Sequence, residues 1–303
     1  MSSGTGSPIK AILYAFLANL GIALAKLAAA VYTGSGSMLA EAIHSFADTG
    51  NQVLLFIGLK SSERPPDDDH PLGYGKLSYF WSFIVALMLF SVGGLFSIYE
   101  GLHKLSAETE LNQVWIGLVV LALSIVVEGF SLMGAMHEAN LMRGDRPLLT
   151  WLRHTRNAEI VVVMGEDVAA IVGLVIAFCF LGMTWLTGDP VYDAMGSVCI
   201  GVVLIAVAIF LVVRLQGLLV GKSAEPDLRA LIDVLIADHE QVQKVLNTIT
   251  LQMGPKVMLA AKILIDEDVT VGEAVKLIND LERKLKQAFP EIGWCFIEPD
   301  NVD

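Results

Sequence analysis

Cysteine is scarce. Cys179, Cys199 and Cys295 are the only three in 303 residues, with no CxxC spacing, which excludes a disulfide framework and a thiolate zinc centre and leaves them as small apolar fillers. Charge is sparse too, at 17% of residues against 54% hydrophobic, whereas soluble domains carry roughly 25% charged residues. With a mean hydropathy of +0.62, this is the composition of a membrane protein. Basic charge is the scarcer sign: 20 Lys and Arg stand against 32 Asp and Glu, a net of −12. That balance excludes a polybasic nucleic-acid surface and suits a chain that attracts cations. No HExxH pair and no nucleophile constellation occurs, so an intramembrane enzyme lacks its chemistry. Residues Met1–Pro8 lack the Arg of a mitochondrial presequence, and no A-x-A-like site follows the first apolar stretch. A bacterial inner membrane is therefore expected.

Apolar stretches of about 20 residues, long enough to cross a roughly 30 Å hydrocarbon layer, recur six times. They run Ile9–Tyr32, Met38–Leu59, Tyr79–Leu102, Val114–His137, Ile160–Leu181 and Asp193–Val213. Lys10, Lys60, Arg64, Lys76, Arg143, Arg146, Arg153, Arg156, Arg214 and Lys222 flank them on one side, and Lys104 on the other. The positive-inside rule then puts both termini in the cytoplasm. From residue 221 the pattern becomes that of a small water-soluble domain: a helix around Leu228–Ile236, strands around Ile249–Met253 and Val257–Ile265, a helix from Thr270 to Ala288, and a strand at Trp294–Glu298. Thr270 with Glu273 three residues on is a capping box. The expected fold is a six-helix transmembrane domain, residues 1–220, followed by a cytoplasmic α+β domain of order αββαβ, residues 221–303.

An ionisable side chain in the bilayer costs several kcal/mol, so each one is a functional candidate. Glu41, His44 and Asp48 lie three and four residues apart, which stacks them on one helical face. Glu166 and Asp167 sit side by side in the fifth stretch. By helix rise, Asp48 lies about 15 Å below the outer end of its span and Asp167 about 11 Å above the inner end of its own. In a roughly 30 Å layer the two then meet in depth to within about 5 Å. His44, Asp48, Asp167 and Glu166 are the candidate metal ligands; imidazole with carboxylates suits Zn²⁺ and also Mn²⁺, Fe²⁺, Co²⁺ or Ni²⁺. Glu41, Glu128, Asn19 and Asn51 are candidates for a proton relay or for support of the ligands. The plainer alternative is an interhelical hydrogen-bond cluster. Lys26 is expected to snorkel towards the interface. In the loop, Asp69 and His70 are either a weak surface metal site or a solvated acidic turn. His103, His137, His154 and His239 read as interfacial or helix-end residues.

The run Thr33-Gly34-Ser35-Gly36-Ser37-Met38-Leu39-Ala40-Glu41-Ala42-Ile43-His44-Ser45-Phe46-Ala47-Asp48 resembles the second-span signature of the cation diffusion facilitator family. The His70-Pro-x-Gly-x-Gly-Lys76 loop, Tyr192-Asp193 and Glu298-Pro299 fall where that family has them. The resemblance implies six spans, a ferredoxin-like cytoplasmic domain, a homodimer, and exchange of Zn²⁺ or a related ion for protons, with the metal as substrate and no cofactor. The family's second HxxxD motif is absent: Val163 stands four residues before Asp167, and Glu166 is an added acid. Glu166-Asp167-Val168-Ala169-Ala170, with Val127-Glu128-Gly129, is similar to the branch containing an animal mitochondrial zinc exporter. A gated channel is the competing reading, and the clustering of acids at one depth favours a single occluded site over a continuous polar lining.

Overall fold

The computed structural model describes residues 8–106 and 113–302, with backbone alone at residues 8–15, 17 and 18. Long apolar runs without interior proline form helices α1 (Pro8–Thr33), α2 (Gly36–Ser62), α3 (Leu77–Met88), α4 (Phe96–Leu105), α5 (Val114–Arg143), α7 (Ala158–Thr187) and α8 (Val191–Val220), with the short helix α6 (Leu148–His154) between α5 and α7. Among the described residues, four rods are long and apolar enough to cross a bilayer: Leu77–Leu105, α5, α7 and α8. Of α1, the shorter apolar part Asn19–Thr33 stands out, and α2 is diluted by Glu41, His44 and Asp48.

The rod Leu77–Leu105 carries a feature the hydropathy pattern did not announce. Leu89–Leu95 is π-helical and joins α3 to α4 without a break. Such wide i→i+5 turns are rare and cluster at functional sites. A Cβ at Gly93 in this stretch would stand 3.9 Å from His44 Nδ1. One turn on, α4 meets α8 almost backbone to backbone. A Cβ on Gly201 would come within 2.7 Å of the Gly94 carbonyl oxygen and 2.6 Å of Ile98 Cγ1; only glycine permits that approach.

At the start of α2, Asp193 of α8 accepts bonds from Ser35 Oγ at 2.6 Å, from Gly36 N at 2.6 Å and from the Ser37 hydroxyl. A carboxylate at a helix N-terminus satisfies orphan N–H groups and complements the dipole. Lys104 of α4 donates to the Gly34 carbonyl across the same turn.

The described backbone sorts into two compact units. The described residues of one fall within Met1–Ile57, Trp81–Asp145 and Glu159–Arg214, and those of the other within Gly58–Phe80, Arg146–Ala158 and Leu215–Asp303. The second unit contains α9 (Pro226–Ala237), β1 (Lys244–Met253), β2 (Lys256–Leu264), α10 (Val271–Ala288) and β3 (Ile292–Pro299). The sheet order is β1-β2-β3, antiparallel then parallel. Ile232 and Ile236 of α9 and Leu277, Leu281 and Leu285 of α10 pack on Leu259, Ile263 and Ile297. The capping box forms as expected, with Thr270 accepting from Glu273 N and the Glu273 carboxylate accepting from Thr270 N. Two loops are fastened into this unit: Tyr79 donates to the Gly254 carbonyl at 3.1 Å, Arg156 to the Ser223 carbonyl at 2.7 Å, and Arg146 pairs with Glu225 at 3.1 Å.

Polar and apolar residues alternate along β1, and its polar side is turned inward. Thr248, Thr250 and Gln252 are buried and Ile249 is exposed. Two of the three are hydrogen-bonded: Thr250 Oγ1 accepts from Ala224 N and pairs with the Ser223 hydroxyl, and Gln252 donates to the Gly254 carbonyl, whereas Thr248 Oγ1 has no partner. Cys295 is buried in β3, and burial pushes its thiol up to about 11. At pH 8 the thiolate fraction is then on the order of 0.1%, and only the thiolate alkylates readily. Maleimide labelling of Cys295 in the native protein, followed by mass spectrometry, should be slow and should accelerate on unfolding.

Candidate metal site

On α2 the i, i+3, i+4 spacing turns Glu41, His44, Ser45, Asp48 and Asn51 to the protein side, all of them buried except the partly exposed Asp48. His44 Nε2 stands 3.4 Å from Asp48 Oδ2, one turn on. Neither ring nitrogen has a hydrogen-bond partner, and neither does Asp48 Oδ1. Unpaired buried polar atoms are costly and rare in native structures, and three of these fall on one helix face.

The helix α7 contributes Glu166, which is buried and accepts a bond from Asn51 Nδ2 at 2.7 Å. That bond brings the α7 acid to α2 and leaves Asn51 Oδ1 as a further unpaired acceptor. Asp167, about 100° around the helix, faces α5 instead, where Ser131 Oγ lies 3.3 Å from Oδ2. So short a rotation separates two roles: Glu166 meets the α2 face, and Asp167 sits to one side on contacts at the long limit of a hydrogen bond. Glu128, on α5 one turn before Ser131, is buried.

The sequence pointed to Asp167 as the partner of Asp48, and it is Glu166 that α2 holds directly. Among the described residues, no three His, Cys, Asp or Glu side chains stand close enough together to hold a metal ion. His44 and Asp48 face each other, Glu166 is turned to Asn51 and Asp167 to Ser131, so the four candidate ligands are gathered but not converged. Asn19 is half-buried on α1.

Lys26 does not snorkel. Its side chain is fully buried, 2.7 Å from Ser45 Oγ and 3.3 Å from Glu41 Oε2. A signal for this was available: Lys26 lies seven residues before the end of α1 and Glu41 five after the start of α2, so at 1.5 Å per residue they share a depth to within about 3 Å. In the loop, His70 meets Asp67 rather than Asp69, with Nδ1 3.4 Å from Asp67 Oδ1. Asp67 also accepts from Tyr74 OH at 2.6 Å and from His70 N at 2.7 Å. Those bonds, the tyrosine's first, hold its carboxyl below the usual range. They build a self-contained loop brace, and the Asp69–His70 pair is not assembled.

Residues 12–219 match the family model for the cation efflux transmembrane domain, and residues 224–301 match the one for the cation efflux protein cytoplasmic domain. The chain belongs to the cation efflux family. It is an integral membrane protein, and this is a family of transporters rather than enzymes. The cation efflux chain is 35% identical over 285 residues to a mitochondrial proton-coupled zinc antiporter of Xenopus laevis, covering 91% of this chain and 51% of the relative. It is 32% identical over 283 residues to that of Homo sapiens, covering 92% and 50%. The chain thus spans about half the length of these relatives. A manganese efflux system protein of Bacillus subtilis is 21% identical over 297 residues, covering 95% of this chain and 94% of that one.

Proposed function

We propose that this protein exports Zn²⁺ in exchange for protons, through a site built from His44, Asp48, Glu166 and Asp167. The observation that carries the reading is the group of buried, unpaired acceptors on His44, Asp48 and Asn51 directly opposite Glu166. One imidazole and carboxylates form a borderline donor set that zinc accepts in tetrahedral geometry. Its oxygen-rich character admits Mn²⁺, Fe²⁺, Co²⁺ or Ni²⁺ as well. Asp167, on long contacts to Ser131, is free to turn inward and complete the set around the ion. Ligands must be deprotonated to bind, so loading expels protons, and an empty carrier that returns protonated performs antiport. Glu128, beside Asp167 on the α5 side, is the group placed to pass those protons, and Asn51 steadies Glu166.

The architecture that suits this reading has six spans, α1 and α2 joining the four more apolar rods, with the domain division near residue 220. The αββαβ order supports a ferredoxin-like cytoplasmic domain. Both termini then lie in the cytoplasm, and the Lys and Arg bias supports a bacterial inner membrane. The cytoplasmic domain has a partner surface of its own chemistry: Ile249, Ala260 and Phe296 lie in register across the open face of the sheet, with Ile249 and Phe296 more than half exposed. An apolar row of this kind supports a homodimer.

Reconstituted vesicles with an acidic lumen provide the test. Zn²⁺ uptake should speed up several-fold over vesicles without a pH gradient and should release protons outward in step with the metal. Uptake that carries current and ignores the gradient would establish a channel instead. Parallel runs with Mn²⁺, Fe²⁺, Co²⁺ and Ni²⁺ rank the ions.

A further inference from the structure

Two turns outward of Asp48 the same helix face carries a second polar group that the ligand set does not use. Glu41 is fully buried; its Oε2 meets the ammonium of Lys26 at 3.3 Å, and Lys26 also donates to Ser45 Oγ at 2.7 Å. The other oxygen, Oε1, has no partner and looks at the bare backbone of α7, where a Cβ on Gly173 would come within 2.7 Å of it. Seven residues separate Glu41 from Asp48, about 10 Å along the helix, and six separate Gly173 from Asp167, about 9 Å. Glu41 therefore stands at the outer wall of the proposed ion site, between α1, α2 and α7.

A buried carboxylate at that place would by itself be a rival station for a divalent cation. The ammonium changes this. One full positive charge at 3.3 Å cancels the carboxylate and repels any second cation, and in a water-poor interior both effects are strong. We propose that Lys26 closes Glu41 off from the transported ion, so that the pair forms a neutral wall and the charge of the site is set by His44, Asp48, Glu166 and Asp167 alone. Lys26 is on this view a positioning residue that limits how tightly the ion is held and lets it leave. Gly173 provides the space in which the unused oxygen sits. The inference rests on the proposed metal site.

Removing one member of a buried ion pair is far more harmful than removing both, and this gives a test by compensation. Glu41→Gln leaves the ammonium without its partner beside the site and should weaken Zn²⁺ binding to the detergent-purified protein, read by calorimetry, about tenfold or more. Adding Lys26→Met should bring the affinity back to within about twofold of the wild type, because neither residue touches the ion. A double variant as weak as Glu41→Gln, or weaker, would overturn the proposal, because a neutral wall requires that removing both charges leave the field at the ion unchanged. Should Glu41→Gln not fold, the double variant decides alone: wild-type affinity supports the neutral wall, and a loss beyond tenfold overturns it. If the wild type binds no Zn²⁺ at all, the reading of the site has failed rather than the role of Lys26. Binding by the wild type without compensation in the double variant defeats the role of Lys26 only.

Discussion

Asp48→Ala is expected to abolish metal transport while the protein still expresses, inserts and elutes as the wild type does. The substitution removes the carboxylate that faces His44 Nε2 at 3.4 Å and whose free oxygen is among the unpaired acceptors. Losing a group that only supports a ligand lowers metal affinity roughly 10–100-fold, and losing a ligand itself should exceed that, so uptake in vesicles should fall at least about 100-fold. Folding should not suffer, because Asp48 makes no hydrogen bond that holds helices together; relieving an unpaired buried acid can even stabilise. Uptake within tenfold of the wild type would remove Asp48 from the site.

Glu166→Gln should be as damaging, for a different reason. Glutamine keeps the shape and can still accept from Asn51 Nδ2, so the α2–α7 contact survives and only the charge is lost. Neutral amide oxygen is a poor substitute for carboxylate opposite a divalent ion. Asn51→Ala tests the same contact from the other side: Glu166 keeps its charge and loses its orienting donor, and transport should drop roughly 10–100-fold. The ranking is measured as initial Zn²⁺ uptake rates at matched protein density. Asn51→Ala more damaging than Glu166→Gln would mean that the bond holds the helices together and that Glu166 is not a ligand.

The α2 face was legible because the spacing of Glu41, His44 and Asp48 admits only one helical side, and the capping box at Thr270 because two residue types three apart suffice to define it. Lys26 was misread by looking at one helix at a time: a lysine judged against its own span snorkels, whereas judged against a neighbouring acid at equal depth it pairs. Glu166 and Asp167 were both visible as candidates, but which of them faces α2 depends on a rotation about the α7 axis that no spacing within α7 reveals. The inward face of β1 was unreadable for a related reason. Thr250 is satisfied there by Ser223 and Ala224, which come from a distant part of the chain, while Gln252 bonds the carbonyl of Gly254 two residues on.

The π-helical stretch Leu89–Leu95 bears on how this gene can change length. A π turn accommodates one residue more than the α turn it replaces, so the rod Leu77–Leu105 contains a spare position within its own frame. Elsewhere in the membrane a one-residue deletion would rotate everything beyond it by about 100° and carry Gly94 or Gly101 away from α8. Within this stretch the missing residue would be absorbed by a return to α geometry, leaving the faces of α3 and α4 aimed as before. Among the described residues of the membrane helices, this is the place where a one-residue deletion can be inherited without unpicking the packing, and it lies beside His44.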